Sequence, residues 1–141
     1  MENSWKGWVI DESLNDITIL EKFGEIKVLD KKIEENTEGD TKRVWTLYTI
    51  GIDDKYINKI SKDFEKNIKL EYYAHFTNEK KLLIVFQGKS FIIRLKRVEE
   101  DKGFGITSFE AELKDIPIWK SAFEYGTTKG KVDPRYIITV K

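Results

Sequence analysis

A chain of 141 residues is the usual size of one domain and is long enough to bury one proper core, so residues 1–141 are read as a single domain. Forty per cent apolar and 35% charged residues exclude a disordered polymer, and the absence of cysteine excludes disulfides, thiolate metal sites and a cysteine nucleophile. Basic and acidic residues balance at 25 each, which argues against a phosphate-binding surface, so no nucleic-acid partner is expected.

The segment from Met1 to Gly7 is polar and lacks the apolar core of a signal peptide. The longest apolar run, Leu82 to Phe86, is far too short to cross a bilayer. These features point to a cytoplasmic protein without a membrane partner.

In chain order, Trp5 to Ile10 reads as a short strand. Asp11 or Ser13 then caps a predicted helix with Leu14, Ile17, Leu20 and Phe23 along one side and Gly24 as its stop. Glu25 to Ile33 and Arg43 to Ile52 read as two strands joined by a polar loop, Glu34 to Lys42, with Gly39-Asp40 as the turn. Asp53 starts a second helix whose apolar stripe is Ile57, Ile60 and Phe64, with Tyr56 on its margin. Three strands follow, Ile68 to Thr77, Lys81 to Gln87 and Ser90 to Lys96, the last two joined tightly by Gln87-Gly88-Lys89.

Glu99 to Gly105 reads as a loop, with Gly103 and Gly105 giving backbone freedom. Phe109, Ala111 and Leu113 suit a strand or one side of a helix. Asp115 and Pro117 begin a third helix with Trp119, Ala122 and Phe123 on its buried side and Gly126 as its stop. Tyr136 to Val140 reads as a final strand or a segment laid across the domain.

The resulting order, β-α-β-β-α-β, is that of a ferredoxin-like split βαβ fold. It is an α+β antiparallel sheet extended by a hairpin, with a third C-terminal helix. Alternation along the strand before Thr77 sends Tyr72, Ala74 and Phe76 one way, toward the helices. It sends Glu71, Tyr73 and His75 the other way. Leu82 to Phe86 is apolar on both sides, so the second sheet face must also be covered. The candidates are the C-terminal segment around Trp119, a partner subunit or a ligand.

Three stretches carry a resemblance: WKGWVIDESLND (Trp5 to Asp16), EYYAHFTNEKKLLIVFQGKSFII (Glu71 to Ile93) and AFEYGTTKGKVDP (Ala122 to Pro134). The chain resembles a widespread family of small bacterial and archaeal proteins with a Tyr-Ala-His-Phe segment before a hydrophobic hairpin. That family has no known activity. The resemblance therefore implies a small cytosolic domain, transfers no catalytic role, and draws attention to Tyr73, His75 and Tyr125-Gly126.

His75 is the single histidine, and its ordinary pKa near neutrality makes it the candidate general acid or base. Glu71 could orient the imidazole and Tyr73 could hold a substrate group. Trp45, Tyr73 and His75 are the candidate ligand-binding set, within a wider group that adds Tyr48, Tyr72, Phe86 and Phe91. Against this, a lone histidine outside any motif is more often a satisfied core residue, and strand aromatics are more often core than pocket.

The acidic pairs offer no calcium-loop order. Asp53-Asp54 is explained by a helix N-terminus, so no metal and no cofactor are expected. Gly126 to Lys131 has the wrong spacing and follows a helix rather than preceding one, unlike a phosphate loop. The leading expectation is a non-enzymatic ligand- or protein-binding or assembly module, with homodimerisation through the open sheet face. The rival is a small enzyme with a pocket around His75, Tyr73 and Trp45. A base-stacking RNA-binding plait comes third.

Overall fold

The computed structural model describes residues 4–21, 25–38, 41–78, 80–101, 105–133, 137 and 139–140. It is an α+β arrangement of eight strands in one sheet with two α-helices among the described residues. The strands are β1 (Ser4–Ile10), β2 (Ile26–Glu38), β3 (Thr41–Asp53), β4 (Ala74–Thr77), β5 (Lys81–Phe86), β6 (Lys89–Asp101), β7 (Gly105–Ala111) and β8 (Thr139–Val140). The helices are α1 (Ile57–Asn67) and α2 (Ile116–Thr128).

Across the sheet the order is β2-β3-β1-β4-β5-β6-β7-β8, and every neighbouring pair is antiparallel except the short β7–β8 contact. β1 lies inside the sheet, with Trp8 opposite both Thr49 of β3 and His75 of β4.

The first expected helix is not α-helical. Asp11–Ser13 and Ile17–Glu21 are 3-10 turns, while Phe23 and Gly24 lie outside the described residues. Short polar side chains explain the difference, because they offer backbone groups partners that a helix would otherwise supply. The Ser13 hydroxyl donates to the Ile10 carbonyl, and the Asp11 carboxylate accepts from the N–H groups of Glu12 and Thr46. Asn15 and Asp16 direct their N–H groups to the carbonyl and side-chain oxygens of Asn67, at the far end of α1. The segment is thus held by α1 and β3 as well as by its own turns. The apolar residues Leu14, Ile19 and Leu20 still reach the core.

Three other segments differ from the sequence expectation. The polar stretch 34–42 is mostly strand: β2 and β3 pair continuously to Glu38–Thr41, leaving Gly39-Asp40 outside the described residues. Exposed side chains do not disfavour an antiparallel ribbon whose backbone groups pair with each other. The strand expected from Ile68 is confined to Ala74–Thr77, because Lys69 and Glu71 donate their N–H groups to Ser13 and Gly130 instead. The loop expected at 99–105 narrows, since β6 runs to Asp101 and β7 starts at Gly105; Gly103-Phe104 lies outside the described residues.

Elsewhere the elements form where hydrophobic periodicity placed them. The Asp53 carboxylate accepts from the Lys55 N–H at the start of the α1 region, and Ile57, Ile60 and Phe64 are buried. Gly88, at φ +85, makes the tight β5–β6 turn. Pro117 sits in the first turn of α2.

The sheet has a core on each face. On the first, α1 and the 3-10 segment cover Trp5, Val9, Ile50, Ile52, Ala74, Phe76, Leu83 and Val85. On the second, Trp8, Leu47, Leu82, Ile84, Phe86 and Ile93 pack in one cluster with Ala122 of α2, Val132 and Ile137, and α2 rests on Phe86. β5 is sandwiched between the two, and Leu82 to Phe86 are almost wholly inaccessible. Among the described residues, no helix is long and apolar enough to cross a membrane.

Candidate functional site

Residues on β1, β4, β5, β6 and α2 meet in one run of aromatic rings on the second face. His75 stands 5.3 Å from Trp8 and 6.0 Å from Tyr73, measured between ring centroids. Tyr73 contacts Phe86 at 5.8 Å, and Phe86 contacts Phe91 and Tyr125 at 6.2 and 6.0 Å. The ammonium of Lys6 lies over Trp8 at one end of the run. That of Lys89 lies over Phe91 and Tyr125 at the other.

α2 can lie this close because Gly126 has no side chain. A β-carbon there would stand 2.4 Å from Phe86 Cε1. Gly126 is therefore an interior helix residue pressed on a ring, not the stop expected from sequence. The helix ends two residues later, where the Val132 N–H reaches back to the Gly126 carbonyl. The Tyr125 hydroxyl donates to the Gln87 carbonyl at 2.7 Å and ties the helix to the β5–β6 turn.

Enclosure decides the chemistry of His75. The residue is 8% exposed, and burial pushes its imidazole from the ordinary 6.5 down to about 4. At neutral pH it is an uncharged ring packed between two aromatic neighbours. Tyr73 is beside it, as the alternation implied, and is half-buried.

Glu71 does not join them. It is exposed on a turn at φ +76, its backbone N–H bonded to Gly130. Trp45 does not join them either. It shares a strand face with Leu47 and Thr49, but it lies four positions along β3 from Thr49, roughly 13 Å at strand spacing. The wider aromatic group also divides: Tyr48 and Tyr72 pack on the α1 side, Tyr73, Phe86 and Phe91 on the α2 side.

Trp8 and Lys89 are members that sequence reasoning did not place at this cluster, whereas Tyr125 was marked beside Tyr73 and His75 by the resemblance. The register of β1 against β4 brings Trp8 in, and only pairing information carries that signal. A second polar feature lies at the start of α2. Arg94 on β6 donates its backbone N–H to Asp115 at 2.7 Å, and its guanidinium grips the same carboxylate at 2.8 and 3.1 Å. These hydrogen bonds, the side-chain ones foremost, hold the buried Asp115 carboxyl down at about 2.

The acidic pair Asp53-Asp54 has structural partners. Asp53 caps the turn before α1, and Asp54 accepts from the Trp5 indole at 2.8 Å. Among the described residues no three His, Asp or Glu side chains converge as a metal site would require. The side chains of Glu99, Glu100 and Asp101 are outside the described set.

The fold and the cluster together define an α+β arrangement whose one histidine is buried on the second sheet face against the rings of Trp8 and Tyr73. No family model, curated protein or solved structure matches the chain.

Proposed function

We propose that this chain is a non-enzymatic ligand- or protein-binding module acting in the cytoplasm. The observation that carries the reading is the enclosure of His75. A general acid or base must reach the proton it transfers, and its pKa must lie near the working pH. His75 has neither property, and Glu71 is exposed on a turn while His75 is buried.

The rival enzyme needs Trp45, Tyr73 and His75 around one pocket, and Trp45 stands outside both core clusters. The RNA-binding plait needs bare sheet aromatics, whereas α2 lies over Phe86 and Phe91. Dimerisation through the open sheet face, the assembly expected from sequence, loses its surface for the same reason.

The ferredoxin-like reading belongs to this proposal. The antiparallel order β2-β3-β1-β4, with β3 inserted between β1 and β2, supports it. The first crossover would then have shrunk to 3-10 turns. The family resemblance belongs here too. Its three stretches are parts that meet: β1 pairs with β4, and Gly126 of α2 rests on Phe86 of β5.

The test is acylation by diethyl pyrocarbonate, a small probe of imidazole nucleophilicity. The folded protein should resist modification at His75 at pH 7 and become reactive in denaturant. Modification of the native protein at the rate of free imidazole would return a usable base to the enzyme reading.

A further inference from the structure

β2 ends the sheet: β3 lies on one side of it and no strand on the other among the described residues. It is thirteen residues long, and its side chains from Lys27 to Ile33, together with Glu35, are exposed. Ile33 is 69% exposed and shares the α1 face of the β2–β3 ribbon with Val44. Long edges of this kind pair with further strands unless charge, proline or irregularity prevents it.

The irregularity here is a bulge between Val28 and Asp30, after which the strand is regular as far as Glu38. Between Asp30 and Asn36 the regular part reads Lys31, Lys32, Ile33, Glu34, Glu35. Inverted about Ile33, this segment exchanges every positive position for a negative one.

From this we infer that β2 pairs antiparallel with β2 of a second copy of the chain, on a two-fold axis at Ile33, joining two sheets into one. The inference rests on the binding-module reading and names its partner. In this register Ile33 meets Ile33, Lys31 faces Glu35 of the other copy, and Lys32 faces residue 34, a glutamate.

Two-fold pairing lets the axis pass through one residue position at a time. Moving it one position either way sets Lys32 against Lys32, or position 34, a glutamate, against itself, so like charges meet at the centre. Only the Ile33 register of these three puts unlike charges opposite each other on both sides of the centre. The bulge at Leu29 falls outside the seven residues Asp30 to Asn36 that pair. The charges that would repel a foreign or misaligned strand thus select one alignment of an identical one.

The experiment is sedimentation equilibrium on the full chain at low salt, with four proteins. Wild type should be a concentration-dependent dimer. Lys31→Glu/Lys32→Glu and Glu34→Lys/Glu35→Lys should each raise the dissociation constant by about tenfold or more, since each sets like charges across the axis. An equimolar mixture of the two should recover a heterodimer, because the reversed charges again complement.

Lys62→Glu/Lys66→Glu, on the exposed side of α1, changes net charge equally and should leave the dimer intact. Circular dichroism confirms that each variant is folded. Wild type that stays monomeric at all concentrations overturns the inference, as do reversed variants that dimerise like wild type. A monomer whose His75 resists acylation would defeat the dimer alone, whereas a reactive His75 would defeat the module reading.

Discussion

Gly126→Ala probes the contact on which the closed second face depends. A β-carbon at this position would lie 2.4 and 2.6 Å from Phe86 Cε1 and Cζ. Carbon atoms pack best at about 3.5–4.0 Å, so ring or helix must retreat by roughly 1 Å. Phe86 is wholly buried and its ring is flanked by Tyr73, Phe91 and Tyr125, so it has little room to move. Forcing an extra methyl into such a core costs about 1–3 kcal/mol.

Alanine is also the better helix former, by about 1 kcal/mol, and that gain opposes the clash. The net expectation is a loss of up to about 2 kcal/mol, read as a lower urea midpoint at unchanged m value. Combining the change with Phe86→Leu should cost less than the sum of the two single changes, because the smaller side chain relieves the overlap. A Gly126→Ala protein stabilised by about 1 kcal/mol would show helix propensity acting alone, and α2 could not then be pressed against Phe86.

Two further expectations concern buried ionisable groups. Below pH 6.5 the unfolded chain takes up a proton at His75 that the folded protein refuses until about 4. The stability tied to His75 is therefore complete above 6.5 and is lost as pH falls toward 4, by about 3 kcal/mol in all. His75→Gln should flatten the urea-midpoint profile across that window, and parallel profiles would refute the enclosure. Asp115→Ala leaves the backbone N–H of Arg94 without its carboxylate and should lower the urea midpoint at pH 7. The Asp115 contribution should persist above 3.8 and fade as pH drops toward 2, since its folded carboxyl is held at about 2. A neutral effect of Asp115→Ala on the urea midpoint would contradict the fork to Arg94.

Much of the fold was readable because periodicity is a local signal. Ile57, Ile60 and Phe64 announce α1, Pro117 announces the start of α2, and Gly88 announces the β5–β6 turn. The first helix failed because Leu14, Ile17 and Leu20 have helical spacing, while Ser13, Asn15 and Asp16 have partners elsewhere in the chain. The polar stretch 34–42 failed because ribbon pairing is invisible to a rule that equates polarity with loops.

The site was legible in part. Alternation put Tyr73 and His75 on one face, and the double-sided apolar run of β5 required a second cover. Alternation alone cannot measure distance along a strand, so Trp45 was grouped with residues it does not meet. Nor does it reveal the glycine on α2 that lets a helix close onto Phe86.

A titration followed by nuclear magnetic resonance tests this enclosure most directly, since the chain has a single imidazole to observe. The His75 ring signals should hold their neutral positions from pH 8 to about 5 and begin to move only as the pH nears 4. A midpoint between about 6 and 7, the range of an imidazole in open water, would mean that His75 is not enclosed.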